Sequence, residues 1–272
     1  MTENQDEKSF EISASAPLIE HLAELRSRLI KSVTFFIIGI IICFSVASYI
    51  FNFLAKPIVE ILKVNGQEPD LIFTGLQQGF MVNIQISLFG GFILAFPFIG
   101  FQLWKFVAPG LYKAEKGAFL PFLIASPVLF FTGASFAFYV VMPLAFDFFL
   151  GFQQENDDSV LETVGITYLG TINEYLGLSM KFIIAFGLCF QLPVLLTLMG
   201  KAGLVSSIAL SKVRKYAVVC ILLVAAIVTP PDVVTQIILF SVVYLLYEIS
   251  IFMVKLVERK REKEPEESAN ES

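Results

Sequence analysis

Apolar residues fall into six long runs separated by short polar segments. The first covers about Leu29 to Phe53, the second Val82 to Phe101, the third Ala118 to Leu150 and the fourth Met180 to Met199. Each has the ~20 apolar residues needed to cross ~30 Å of hydrocarbon as a helix. The fifth, Tyr216 to Val228, has 13 residues, and the uninterrupted part of the sixth, Ile237 to Tyr247, has 11 before Glu248. At 1.5 Å per residue the fifth spans only about 20 Å. Thr229-Pro230-Pro231-Asp232 makes a turn and a helix start between them, and basic residues lie outside both ends. Two short spans that thin the bilayer are therefore expected in preference to one re-entrant hairpin. Pro97, Pro121, Pro127, Pro143 and Pro193 punctuate the runs. Each removes a backbone hydrogen bond and predicts a bend.

A different period precedes the first run. Leu18, Leu22, Leu25 and Leu29 share one face of a predicted helix that starts at Pro17, and Glu20, Glu24, Arg28 and Lys31 lie on the other side.

Composition agrees with this pattern. The 272 residues are 56% hydrophobic and 16% charged, where a soluble domain carries about a quarter charged residues. An all-α integral membrane protein follows. The polar segments before residue 16 and after 257 read as disordered tails, acidic and charged respectively, around a transmembrane domain over 16–257. Cys43, Cys189 and Cys220 each sit in an apolar stretch without metal spacing and read as buried small residues.

Charge sets an orientation. With both termini inside, all Lys and Arg except Lys56, Lys63 and Lys181 fall on the cytoplasmic side. The outer loop Gly151 to Tyr175 has no Lys or Arg but carries Glu155, Asp157, Asp158, Glu162 and Glu174. An odd number of spans would destroy this asymmetry.

Few residues can carry chemistry. Glu24 precedes the first span and Glu115 follows the second, each among basic residues. A carboxylate there can receive an arginine from another molecule, or be neutralised at the rim, Glu24 by Arg28 at i,i+4. Trp104 and Tyr112 read as interface anchors. Gln191 precedes Leu192-Pro193 inside an apolar run and can bond a freed carbonyl or a polar group on another helix. Glu248 is either functional within the membrane or placed near its inner interface. Asp232 reads as a helix cap. The single histidine, His21, excludes an HExxH zinc site, and no GxSxG occurs, so an enzyme is not expected. A small-solute or ion transporter using Gln191 and Glu248 is the alternative, weakened by the absence of an internal repeat.

Five motifs in order resemble the TatC family of twin-arginine translocase subunits: His21-Leu-Ala-Glu-Leu-Arg26, Trp104-Lys-Phe-Val-Ala-Pro-Gly-Leu-Tyr-Lys-Ala-Glu115, Phe138-Tyr-Val-Val-Met-Pro143, Phe186-Gly-Leu-Cys-Phe-Gln-Leu-Pro193, and Thr229-Pro-Pro-Asp232 with Gln236. The resemblance covers about Ala16 to Val257. It implies six helices in a curved, glove-like arrangement, an outer cap, and a place in the bacterial inner membrane. It further implies recognition of twin-arginine signal peptides on folded cargo through Glu24 and Glu115, with Arg26, Phe106 and Tyr112 in the same site. Pro57, Pro109, Asp232 and Gln236 also match positions important in the family. Gln191 stands where many members carry glutamate, so a hydrogen-bonding role is implied and a proton-linked one is not. The signal peptide's apolar part is expected along a concave wall near Gln191. Single-span TatA-type and TatB-type proteins, further copies of the chain and membrane lipid are the implied partners, with no nucleic acid and no cofactor.

Overall fold

The computed structural model describes residues 3–68, 70–111, 120–153, 169–230 and 232–270, with side chains over 21–68, 70–106, 121–153, 169–230 and 232–261. The described residues form helices α1 (Glu3–Ser45), α2 (Ala47–Val64), α3 (Gln78–Leu111), α4 (Leu120–Phe136), α5 (Met142–Leu150), α6 (Ile172–Cys189), α7 (Leu192–Lys201), α8 (Ser207–Lys212), α9 (Arg214–Val228) and α10 (Val233–Asn270). Among the described residues, five stretches are long and apolar enough to cross a membrane: His21–Ser45, Gln78–Phe106, Pro121–Leu150, Ile172–Lys201 and Val233–Arg261. α9, at 15 residues, is about 22 Å long, as the short fifth run predicts.

The sixth run differs from expectation. It is not short: Glu248 does not interrupt α10, because glutamate is a good helix former and its carboxylate leaves the helix to meet Arg214 on α9. Helix also runs through much of the two segments expected to be disordered tails, and Pro17 lies within α1 rather than at its start. Extending an existing helix needs no new nucleus; the first segment carries the helix formers Glu3, Glu7, Lys8 and Glu11, and the second is rich in Glu, Lys and Arg. The first apolar run is divided. α1 ends at Ser45, the chain turns at Val46, and residues 47–53 begin α2.

Two of the prolines are accommodated by local changes of helix type. Residues Ala137–Val141 form a π turn, in which the Met142 N–H bonds the Ala137 carbonyl, and Pro143 follows at the start of α5. The chain between α6 and α7 breaks at Phe190-Gln191, so Pro193 lies in a first turn where its missing N–H costs no internal bond.

α1 packs along α3 over much of its length, with Gly39 set against Gly91. The main core joins α2, α3, α4, the π turn, α5, α6, α9 and α10 through Leu54, Ile86, Ala134, Val141, Met142, Phe182, Ala225 and Leu239. Cys43 is buried as expected, on α1 beside Gly90 of α3, Cys189 is half-buried against the main core, and Cys220 is exposed on α9. Trp104 is not an interface anchor. It is buried between α3, α4 and α7 against Val194 and Leu198, with Phe122 and Leu123 beside it.

That cluster places the end of α3, the start of α4 and the end of α7 at one rim. Glu258 of α10 joins it by accepting from the N–H and hydroxyl of Ser207. The opposite rim is tied by a parallel bridge, with Ile72 N–H donating to Gly170 and Ile172 N–H to Ile72, and by Gln67 donating to Gln153 at 2.5 Å. α2 lies on that side.

Candidate functional site

Glu24 sits on α1 against the final turns of α3. The helix is arranged for a bilayer: Leu22, Leu25 and Leu29 face outward, while the polar side turns toward the protein. Arg28 donates to Glu24 Oε1 from Nε at 2.9 Å and from a terminal nitrogen as well. A second terminal nitrogen of Arg28 reaches Gln102 Oε1 on α3 at 3.4 Å. Both Arg28 bonds to the carboxylate therefore fall on one oxygen. Glu24 Oε2 lies 4.0 Å from His21 Nδ1, beyond hydrogen-bond distance. His21 stacks on Phe106 with ring centroids 4.3 Å apart and planes at 14°. The Glu24 side chain is 34% exposed and that of Arg28 16%.

The structure thus brings together Glu24 and Phe106, two of the residues singled out in the sequence. It adds His21, Arg28 and Gln102. Of these, only Arg28 was signalled as a partner for Glu24, through its i,i+4 spacing. Arg26 is exposed on another face of α1 and joins none of these contacts. Glu115 and Tyr112, together with the side chain of Pro109, lie outside the described residues.

The remaining sequence-predicted residues are dispersed. Gln191 is half-buried where α4 meets the break before α7. It bonds Ser126 of α4 in both directions, accepting from the hydroxyl at 2.6 Å and donating to the carbonyl at 2.9 Å. Glu248 accepts from Arg214 at 2.8 Å. Asp232 caps α10, accepting from the Thr235 N–H at 2.7 Å and from the Thr235 hydroxyl. Gln236 is half-buried one turn further on, and Pro57 is buried inside α2.

A groove of about 1370 Å³ opens between α3, α6 and the end of α9. Its polar lining is Gln85, Asn173, Glu174, Lys181 and Thr229, and its apolar lining includes Phe89, Phe92 and Ile184. Gln191 does not line it. Gln85 Oε1 is buried there without a hydrogen-bond partner among the described residues. Reading the sequence missed this grouping. Gln85 and Lys181 interrupt apolar runs, and that was the available signal, but Glu174 belongs to the outer loop and only packing brings the three to one wall.

Long apolar helices, with polar side chains gathered at one rim and in one groove, define a multi-pass helical membrane protein. The chain belongs to the TatC family: the family model described as Sec-independent protein translocase protein (TatC) matches residues 20–241. A Sec-independent protein translocase protein TatC from Magnetococcus marinus is 48% identical over 262 residues, covering 96% of this chain and 92% of the relative. That of Aquifex aeolicus is 40% identical over 245 residues, covering 90% and 97%. A crystal structure of the twin arginine translocase receptor TatC superposes with a TM-score of 0.74 at 40% identity, over 88% of this chain and 99% of that one.

Proposed function

We propose that this chain is the signal-peptide receptor and core component of a twin-arginine protein translocase. It exports folded proteins across an energy-coupling membrane with the proton-motive force. The observation that carries the reading is the half-engaged carboxylate of Glu24. Arg28 occupies Oε1 and fixes the carboxylate, and Oε2 is left to accept from a cargo guanidinium. Phe106 and His21 form an aromatic floor on which a second planar cation can stack. Guanidinium offers a planar fork of donors that an ammonium does not, so arginine is selected over lysine. Glu115 supplies the second carboxylate, with Arg26, Pro109 and Tyr112 contributing from the same rim. The apolar part of the signal peptide lies in the membrane-facing groove lined by Gln85 and Glu174.

In this reading α9 is a sixth, short span, and the six spans form a curved, glove-like wall in a bacterial inner membrane with both termini cytoplasmic. The basic rim of Lys105, Lys201, Lys212, Arg214, Lys255 and Arg259 supports that orientation. TatA-type and TatB-type single-span proteins and further copies of the chain complete the translocase. Pro57, Asp232 and Gln236 shape its far rim, and Glu248 with Gln191 holds neighbouring helices together.

Crosslinking of a twin-arginine peptide to the chain in membranes tests this. Efficient crosslinks that are lost in Glu24→Ala with Glu115→Ala, along with export, are expected. Unchanged crosslinking and export in that variant would sink the assignment to these residues. Solute flux through vesicles holding this chain alone would favour a small-solute transporter instead.

A further inference from the structure

A cleft of about 580 Å³ lies between α8, the start of α9 and the last membrane turns of α10. Lys212, Arg214 and Lys255 line it together with Ser211, Phe252 and one carboxylate, Glu248. Arg214 is paired with Glu248 at 2.8 Å. Neither Lys212 nor Lys255 has an ion-pair partner among the described residues. Glu258, three positions after Lys255, is engaged by Ser207. The local charge is therefore cationic, with two uncommitted ammonium groups.

The surroundings of the cleft select the kind of anion. Leu245, Ile249 and Phe252 are exposed and recur three to four positions apart, on the same side of α10 as Glu248 and Lys255. Phe252 is 61% exposed and Ile208, at the cleft mouth, 68%. A cationic cleft at the rim thus continues directly into an apolar stripe that runs along a membrane span. A free anion needs only the first part. A phospholipid uses both, with its phosphate between the lysines and its acyl chains along the stripe.

We propose that this cleft is a binding site for an anionic phospholipid, which seats a phosphodiester between Lys212 and Lys255 and covers the outer face of α9 and α10. The cleft lies on the same rim as Glu24 but shares no residue with that site, and it does not depend on signal-peptide recognition.

The test is native mass spectrometry of the full chain extracted from bilayers of phosphatidylglycerol mixed with phosphatidylcholine. Wild-type protein is expected to retain phosphatidylglycerol in preference to phosphatidylcholine. Lys212→Gln with Lys255→Gln should reduce that preference by about tenfold, since each cation near an anionic surface contributes a severalfold preference. Lys255→Gln alone should give a partial loss, and Lys212→Arg with Lys255→Arg should restore retention. Lys215→Gln with Lys260→Gln, the same charge loss outside the cleft, should leave retention intact. Equal retention by wild type and the cleft variant would overturn the proposal, as would an equal loss in the Lys215 and Lys260 control. Displacement of the retained lipid by inorganic phosphate would show a phosphate site in place of a lipid site.

Discussion

Gln191 and Ser126, 65 positions apart, exchange two hydrogen bonds across the contact between α4 and the break that precedes α7. The hydroxyl and the backbone carbonyl of Ser126 face the side-chain amide of Gln191, so each polar group has its partner inside an apolar environment. This pairing accounts for an uncharged residue at Gln191: an ionised carboxylate could accept from Ser126 Oγ but could not donate to its carbonyl.

Removing one partner is expected to strand the other. Gln191→Leu and Ser126→Ala should each lower stability by about 0.5–2 kcal/mol, the range for hydrogen bonds between membrane helices. The double variant should cost less than the sum of the singles. Unfolding of the purified protein in mild detergent measures this, and strict additivity would show that the two bonds contribute no coupling.

Glu24 and Arg28 should have unequal effects on peptide binding. Glu24→Gln removes the receiving charge and is expected to weaken a twin-arginine peptide by about tenfold or more, as for loss of a charge-assisted bond of ~1.5–3 kcal/mol. Arg28→Gln leaves the charge but frees the carboxylate to rotate, so a smaller, severalfold loss is expected. Peptide titration by fluorescence anisotropy separates the two. Tighter binding in Arg28→Gln would instead make Arg28 a competitor for the carboxylate.

At Gly39 the helices α1 and α3 meet backbone to backbone. A Cβ there would lie 2.8 Å from the Gly91 carbonyl oxygen, and one on Gly91 would lie 2.8 Å from the Ile40 nitrogen. Neither obstacle is a movable side chain. Gly39→Ala is therefore expected to force the helices apart and cost about 1–3 kcal/mol, whereas Gly177→Ala, with open space around the added methyl, should not. Thermal melts of the two variants compare them directly.

Asp232 closes the first turn of α10 through Thr235. Asp232→Ala should cost about 1 kcal/mol, while Asp232→Asn, which keeps an acceptor, should cost less. Hydrogen exchange of the amides in the first turn of α10 should quicken in the alanine variant and not in the asparagine one.

Glu248 illustrates a pair whose value depends on removing one side. Its side chain is 31% exposed and that of Arg214 46%, so solvent screens the attraction and the pair is worth no more than about 1 kcal/mol. Arg214→Gln leaves a carboxylate beside lipid, and Glu248→Gln leaves only a surface arginine. The first should destabilise more than the second, and the double variant should recover part of that loss, read by detergent melts.

Much of the fold was legible because its signals are local. Apolar runs of sufficient length, proline positions and the bias of Lys and Arg are properties of consecutive residues, and the bilayer acts on each segment separately. The cap at Asp232 and the Glu24–Arg28 pair were legible for the same reason, since their partners are three and four positions away. The sixth span was misread because an apolar count treats Glu248 as a break, although the helix continues and the charge is met by Arg214 from another segment. Trp104 was misread because an aromatic at the end of a run suits an interface and a core equally well. Only the approach of Val194 and Leu198 decides between them.

The sequence by itself therefore determined that this is a multi-pass helical membrane protein, where its apolar runs lie, which ends are basic, and that its motifs are those of the TatC family. The tertiary structure decided which polar residues share a site. It gave Gln191 to Ser126, stacked His21 on Phe106 beside Glu24, set Gln85, Glu174 and Lys181 around one groove, and left Lys212 and Lys255 facing an open cleft. The physical reason is that burial in lipid is a property of a segment, whereas a hydrogen bond or an ion pair needs two groups within about 3–4 Å. For groups distant in the chain, only packing sets that separation.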